Sequence, residues 1–318
     1  MTGPFHIPLG YGGEFDAISA ALHRWGPLAT GVGDDCAIFD VPPGERLVLS
    51  VDNAVENVHF RRAWVTPEEI GYRSAMAAIS DLAAMAALPL GITIALTLPE
   101  SWRADFLRLC DGVGDAARST GARIVGGDLS RGSELSLGIS AIGHVAAPLS
   151  RRGARAGDAL WVTGKLGGPL LAVRAWERGG TPAAELRARF ARPEARIEEA
   201  RWLVAHGATA GLDISDGVAS EASHIAAAGG VRVVLDLDRL PLLANASADD
   251  AARSGEEYEL LVAAPASLDA SAFESAFRLP LTRIGSIEPA APGASPVEAR
   301  VQGERVELPR GHDHFPRP

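Results

Sequence analysis

Between residues 92 and 98 the chain alternates strictly, with Ile92, Ile94, Leu96 and Leu98 set against Thr93, Ala95 and Thr97. That period predicts a strand with one buried face. Leu47 to Asp52 reads as another strand and puts Val48, Ser50 and Asp52 on one side. Helical periods cover residues 14–25 and 102–120, the second ending at Gly121. A further helix opens at Thr66-Pro67-Glu68-Glu69 and runs to about Ala87, before Pro89. Thr66 can cap it, Pro67 suits the first turn, and Glu69 completes a capping box. Strands are predicted near 122–126 and 134–145.

Around residue 150 the texture changes. Arg151 to Gly157 reads as a loop, and Ala159 to Thr163 as a new strand. Helices follow near 167–179, 194–206 and 217–228, with strands near 231–237, 257–264 and 281–287. The pattern predicts two domains, 1–150 and 151–318, which suits a chain of 318 residues. Strands and helices alternate without a strict parallel-sheet pattern, so the expected class is α+β with mixed sheets.

Composition narrows the function classes. A net charge of −10 with no basic block speaks against a nucleic-acid surface. The apolar stretch 75–98 is interrupted by Asp81 and Pro89, so no membrane span is expected. Two cysteines, Cys36 and Cys110, cannot build a disulfide framework and fit a reducing cytoplasm.

Seven aspartates stand at the ends of apolar or glycine-rich segments: Asp34, Asp35, Asp52, Asp81, Asp128, Asp213 and Asp216. Carboxylates at the margin of a core are unfavourable unless a cation meets them. Asp81 interrupts a helix beside Ser74, Ala77, Ala78 and Met85, and reads either as a place where another backbone or a ligand approaches closely, or as a helix-surface acid or a partner of Arg73. Gly33-Asp34-Asp35 and Gly126-Gly127-Asp128 read either as turns or as places where a cation or phosphate meets the backbone. In Asp213-Ile-Ser215-Asp216-Gly217, Ser215 or Asp216 can cap the next helix, while Asp213 has no such role. All-oxygen donors without Cys/His spacing select Mg²⁺ or Ca²⁺ over zinc, and Mg²⁺ with nucleotide phosphates points to phosphoryl transfer. Thr163-Gly164-Lys165-Leu166 lacks the remainder of a P-loop, and Gly112-Val-Gly114 lies inside a helical pattern. Cys36 beside two acids is a poor nucleophile. His312-Asp-His314 reads as a solvated terminus.

Taken in order, Gly33-Asp-Asp-Cys-Ala-Ile, Ser50-Val-Asp-Asn-Ala-Val-Glu-Asn-Val-His-Phe60, Ser80-Asp-Leu-Ala-Ala-Met, Val125-Gly-Gly-Asp-Leu-Ser-Arg131, Arg192-Pro-Glu-Ala-Arg-Ile197 and Leu212-Asp-Ile-Ser-Asp-Gly217 closely resemble the thiamine-monophosphate kinase family, within the aminoimidazole-ribonucleotide-synthetase superfamily. The resemblance spans residue 10 to Phe315. It implies ATP- and Mg²⁺-dependent conversion of thiamine monophosphate to thiamine diphosphate. The alternative is another enzyme of the superfamily that activates an amide or acyl oxygen with ATP. The resemblance further implies a cytoplasmic homodimer. Its N-terminal domains would pair through a shared β-barrel, and its C-terminal domain would close the ATP cleft. Carried over, Asp34, Ser50, Val51 (through its backbone), Asp52, Asp81, Asp128, Asp213 and Asp216 are the implied ligands of several Mg²⁺ ions. Asp34, Asp52, Asp81, Asp128 and Asp216 are the implied catalytic set. Gly127, Asp128, Arg151 and Ser215 are implied nucleotide contacts, and His59, Glu256 and His312 implied contacts to thiamine.

The chain departs from the family pattern chiefly on the acceptor side. Asn57 stands where a glycine is usual, Gly168 where an aspartate is expected, and Ser254-Gly-Glu-Glu-Tyr258 where Gly-Gly-Glu-Asp-Tyr is usual. His312 stands where an aromatic ring that could stack on thiamine is usual.

Overall fold

The computed structural model describes residues 6–10, 12–291 and 293–312. They form two compact units, one of residues up to 82 with 87–147, the other of 83–86 with 148 onward. In the first unit the elements run α1 (Gly13–Trp25), β1 (Arg46–Val55), α2 (Pro67–Ala84), β2 (Leu88–Leu98), α3 (Phe106–Thr120), β3 (Arg123–Arg131) and β4 (Ser136–Val145). The four strands make one mixed sheet in the order β1-β4-β2-β3. β2 and β3 are parallel, joined through α3, while β4 runs antiparallel to both β1 and β2.

Local chemistry explains these elements. The capping box at α2 forms: the Glu69 amide donates to Thr66 Oγ1 at 3.3 Å, and the Thr66 amide to Glu69 Oε2 at 2.8 Å. Gly112, the glycine inside a helical pattern, lets α3 lie backbone to backbone on α2. A Cβ there would stand 1.8 Å from the Glu68 carbonyl oxygen. The predicted helix at 102–120 begins with a 3-10 turn, Glu100–Asp105, and ends at Gly121 with φ 74°. The strand expected to stop near 126 continues to Arg131, so Gly126-Gly127-Asp128 lies within β3 and is not a turn. Asp52 also lies in a strand and Asp81 in a helix, so only some of the acid-bearing segments are turns.

The second unit runs β5 (Ala159–Thr163), α4 (Gly168–Glu177), α5 (Ala184–Ala191), α6 (Ile197–Ala205), β6 (Ala210–Asp213), α7 (Val218–Gly229), β7 (Val231–Asp236), α8 (Ala248–Arg253), β8 (Leu260–Ala264), α9 (Ala270–Phe277), β9 (Leu281–Pro289), β10 (Val297–Val301) and β11 (Glu304–Val306). Its seven-stranded sheet has the order β11-β10-β7-β9-β5-β8-β6 and is antiparallel except at β10 with β7. The protein is thus a mixed α+β fold with two sheets. One apolar layer of this unit joins Leu160, Val162, Leu212, Ile225 and Val233, and another joins Trp161, Leu203, Leu260 and Phe273. The short elements α5, α8, α9, β6, β10 and β11 carry no periodic signal of their own, because three to eight residues span at most two turns or a few pleats. Among the described residues, no helix is long and apolar enough to cross a membrane.

Candidate functional site

The first unit brings Ser50, Asp52 and Asp81 together on the helix-covered side of its sheet. Along β1, Val48, Ser50 and Asp52 are half-buried while Leu47, Leu49, Val51 and Asn53 are exposed, as the alternation requires. Ser50 Oγ donates to Asp81 Oδ2, tying β1 to α2. Asp81 is half-buried, and Ser74, Ala77 and Ala78 beside it are buried. Small neighbours leave the carboxylate reachable. Asp52 Oδ1 accepts from the Asn53 amide at 2.8 Å, and Asp34 Oδ1 from the Asp35 amide at 2.9 Å. Asp34 and Asp35 are exposed in a turn that precedes β1.

Asp128 is not brought to that group within one chain. Register aligns Asn53, Gly138, Ala95 and Asp128 across the sheet, on the face opposite the row of Asp52, Ile139, Ile94 and Gly127. Asp52 and Asp128 therefore lie on opposite edge strands, roughly 14 Å apart at about 4.8 Å per strand. Ser130 Oγ donates to Asp128 Oδ2 at 2.8 Å. At Gly127 a Cβ would stand 2.5 Å from the Ile94 carbonyl oxygen, so only glycine suits that pairing.

His59 lies in a tight turn after β1. Its Nδ1 accepts from the Val55 amide at 3.1 Å, and its carbonyl from Arg73 Nη1 at 2.6 Å. The ring nitrogen facing Val55 thus acts as acceptor, and the neutral ring carries its proton on Nε2. Asn57 in this turn has φ 66°. That explains the departure from the family's glycine, since asparagine is the next residue to tolerate left-handed backbone.

An apolar recess, partly open to solvent, lies in this unit beside β3. Leu22, Trp25, Phe106 and Cys110 line it, together with Gly127 and Asp128. Trp25 Nε1 donates to the Cys110 carbonyl at 2.7 Å and fixes α1 against α3. Burial pushes the Cys110 thiol up to about 12, so it serves as an apolar wall.

In the second unit, β6 ends at buried Asp213 and the chain turns through exposed Ser215 and half-buried Asp216 into α7. Neither Ser215 nor Asp216 caps that helix, contrary to the expectation from sequence: the N-cap is Gly217, φ 109°, without a side-chain cap bond. The acceptor comes from inside the helix. Glu221 Oε1 takes the Asp216 amide at 2.9 Å and the Ser215 amide at 3.3 Å. Its carboxyl is shifted upward by burial, with the backbone bonds acting the other way. On the other side the Glu256 amide donates to the Ser215 carbonyl at 2.7 Å, and the Tyr258 amide to the Ile214 carbonyl at 3.0 Å. The His312 amide donates to the Asp216 carbonyl at 2.9 Å. Ser215, Asp216, Glu256 and His312 are thereby gathered around one loop. Arg151 is exposed on a 3-10 turn, Arg151–Gly153, that packs on β6 and α7. Asp313 and His314 lie outside the described residues.

The sequence-derived candidates omit Glu221, Glu257, Glu259, Arg189 and Arg196. Glu257 and Glu259 are both fully buried side chains, facing Arg189 and Arg196. A signal existed in the run Glu256-Glu257-Tyr258-Glu259 leading straight into Leu260-Leu261-Val262. Acids that enter an apolar strand require buried partners.

The chain matches the model of the AIR synthase related protein N-terminal domain over residues 33–145 and that of its C-terminal domain over 155–295. It is 33% identical to the Escherichia coli protein named thiamine-monophosphate kinase, over 96% of this chain and 99% of that one. This chain belongs to the thiamine-monophosphate kinase family. Two solved structures of the family agree. The thiamine-monophosphate kinase of Stenotrophomonas maltophilia superposes with a TM-score of 0.77 at 34% identity, covering 92% of this chain and 96% of that chain. AaThiL complexed with AMPPCP and TMP superposes with a TM-score of 0.74 at 28% identity, covering 94% and 95%.

Proposed function

We propose that this chain is an ATP- and Mg²⁺-dependent kinase that phosphorylates thiamine monophosphate to thiamine diphosphate. The observation that carries this is its likeness, over nearly its whole length, to proteins named for that activity, combined with the aspartates that match the family's motifs. The donors fit a hard divalent cation. Among the described residues no three of His, Cys, Asp and Glu form a ready-made metal cage. Mg²⁺ is commonly held by one or two carboxylates plus substrate phosphates. Asp34, Ser50, Asp52, Asp81 and Asp128, with the Val51 backbone, in the first unit and Asp213 and Asp216 in the second are the residues that would hold such ions. When bound, Mg²⁺ supplies neutralisation of the charge on two polyphosphates.

The remaining steps fall to the chain itself. The acceptor is a phosphate oxygen, already ionised, so no strong general base is needed. Catalysis is then positioning and charge stabilisation. Ser50 orients Asp81 through their hydrogen bond. Glu221 fixes the amides of the Ser215–Asp216 loop. Arg151 offers a planar fork to phosphate. The apolar recess beside Gly127 and Asp128 has the lining expected for the base of ATP. His59, Glu256 and His312 are assigned to the thiamine moiety.

The reading includes a homodimer and a cytoplasmic setting. We take residues 1–150 as the metal, ATP and dimerisation domain and 151–318 as the companion α/β domain. Leu47, Leu49 and Val51 are 53%, 69% and 70% exposed on one face of edge strand β1. An apolar sheet face of this kind is commonly covered by a partner. Joining β1 of one protomer to β3 of the other would close an eight-stranded barrel. It would also set the strand that carries Asp128 beside β1 of the partner, which a single chain keeps apart.

The test is an acceptor panel assayed with ATP and Mg²⁺. ADP release that requires both thiamine monophosphate and Mg²⁺ is expected. No ADP above background with that acceptor, or turnover only with an amide or acyl acceptor, overturns the assignment.

A further inference from the structure

Residues 254–259 enter β8 in a strained form. Glu256 has φ 56° and Tyr258 φ 53°, two left-handed non-glycine residues flanking Glu257. Such backbone persists only where the surroundings over-determine it. Here they do. The Glu256 and Tyr258 amides are bonded to the Ser215 and Ile214 carbonyls, and the Ile214 amide donates to the Glu259 carbonyl at 2.8 Å.

The side chains add a second set of restraints. Glu257 Oε1 accepts from the Gly167 amide at 2.6 Å. Glu259 takes Arg196 through two bonds, 2.9 Å from Nε and 2.7 Å from Nη2, and Thr163 Oγ1 at 2.7 Å. Arg189, from α5, spans the segment: its Nη2 lies 3.1 Å from the Glu257 carbonyl, 3.4 Å from Glu257 Oε2 and 3.0 Å from Glu259 Oε1. Gly168 makes room for this arm, since a Cβ there would stand 3.0 Å from Arg189 Cβ. A Cβ there would also stand 2.7 Å from Leu243 Cδ1, so the aspartate that the family pattern leads one to expect would require both side chains to shift.

Buried ion pairs are poor sources of stability, because desolvation cancels most of the attraction, and apolar replacements often serve as well. Two buried carboxylates with two arginines, beside a core built of leucine, valine and alanine, call for another reason. We propose that Arg189 and Glu257 are positioning residues, which lock the strained 256–258 backbone so that Glu256 is held at a fixed place beside the Ser215 loop. The inference rests on the assignment of Glu256 to the acceptor. The Glu257 side chain is fully buried and that of Arg189 is 19% exposed. They act through the backbone on either side of Glu256.

The test uses the full-length enzyme and the variants Arg189→Met, Glu257→Gln and Arg189→Lys. Amide hydrogen exchange is read first, without substrate. Arg189→Met and Glu257→Gln are expected to speed exchange at Glu256 and Tyr258 while Val162 and Leu261 keep wild-type protection. Kinetics follow. The KM for thiamine monophosphate should rise on the order of tenfold or more, as for small misplacements of a binding group, with the KM for ATP changed less than twofold. Arg189→Lys should recover most of both effects, because an ammonium can still sit between the carboxylates. Wild-type exchange at Glu256 and Tyr258 in both variants overturns the proposal. So does a uniform loss of protection across β5 and β8, which marks a merely structural role. If thiamine monophosphate is not a substrate at all, the assigned function fails, while exchange still decides whether the lock exists.

Discussion

The Glu256 amide donates to the Ser215 carbonyl at 2.7 Å, so the residue assigned to the acceptor and the residue assigned to the nucleotide are joined directly by a backbone hydrogen bond. Displacing either loop displaces both. Gly255 belongs to this contact as well: a Cβ there would lie 2.5 Å from the same carbonyl oxygen. Precision of this kind suits a reaction whose catalysis is chiefly positioning.

Asp81→Asn separates charge from packing. The amide oxygen can still accept from Ser50, so the melting temperature should stay close to that of the wild type. Mg²⁺-dependent turnover should fall on the order of a hundredfold or more, the usual scale for removing one group that stabilises transition-state charge. Near-wild-type activity would show that Asp81 holds no metal.

The two glycines of β3 should behave differently. A Cβ at Gly126 meets Thr93 Cγ2 at 3.7 Å, an ordinary contact, whereas at Gly127 it meets the Ile94 carbonyl oxygen at 2.5 Å. Gly126→Ala should leave stability within about 0.5 kcal/mol, and Gly127→Ala should cost about 1–3 kcal/mol. Gly127→Ala should also weaken ATP binding. Denaturant unfolding and ATP titration check both, and equal stabilities would refute the register argument.

Asn57, at φ 66°, should accept glycine with a change within about 0.5 kcal/mol, while valine should cost about 1–2 kcal/mol. Thermal unfolding of the pair measures the difference directly.

Stability should depend on pH through Glu257. Complete burial pushes its carboxyl up to about 7, only partly offset by Arg189. Glu259 is pushed up by burial too, but Arg196 and Arg189 more than offset this and it ends below its ordinary value. The folded state thus binds the Glu257 proton more tightly than the unfolded chain, where the value is 4.5. The resulting stabilisation is full below that value and is lost as pH rises through about 7. Glu257→Gln has no proton to lose. Wild-type stability relative to this variant should fall by roughly 3 kcal/mol over that window, at about 1.4 kcal/mol per unit. Parallel urea-unfolding curves at every pH would contradict this.

Leu49→Asp places a charge on the exposed apolar face of β1. Light scattering should then report a monomer, with activity lost if the site needs both protomers. A dimer that persists would rule out the shared barrel.

The candidate acids of this protein stood out along the chain because acids at the ends of apolar segments are rare without a cation, and the elements around them because caps and periods are local. The Thr66–Glu69 box, the β2 alternation and the Ser50–Asp52 face all follow from residues within one or two turns of each other. Tertiary structure decided what depends on distant partners. It put Asp128 on the far edge and opposite face from Asp52, since strand order is set by how the whole sheet buries its apolar side. It replaced the expected Ser215 or Asp216 cap with Glu221, which reaches back from within α7. It also paired Glu257 and Glu259 with arginines 60 to 70 residues away, because a buried carboxylate must find its counter-charge wherever the fold brings one.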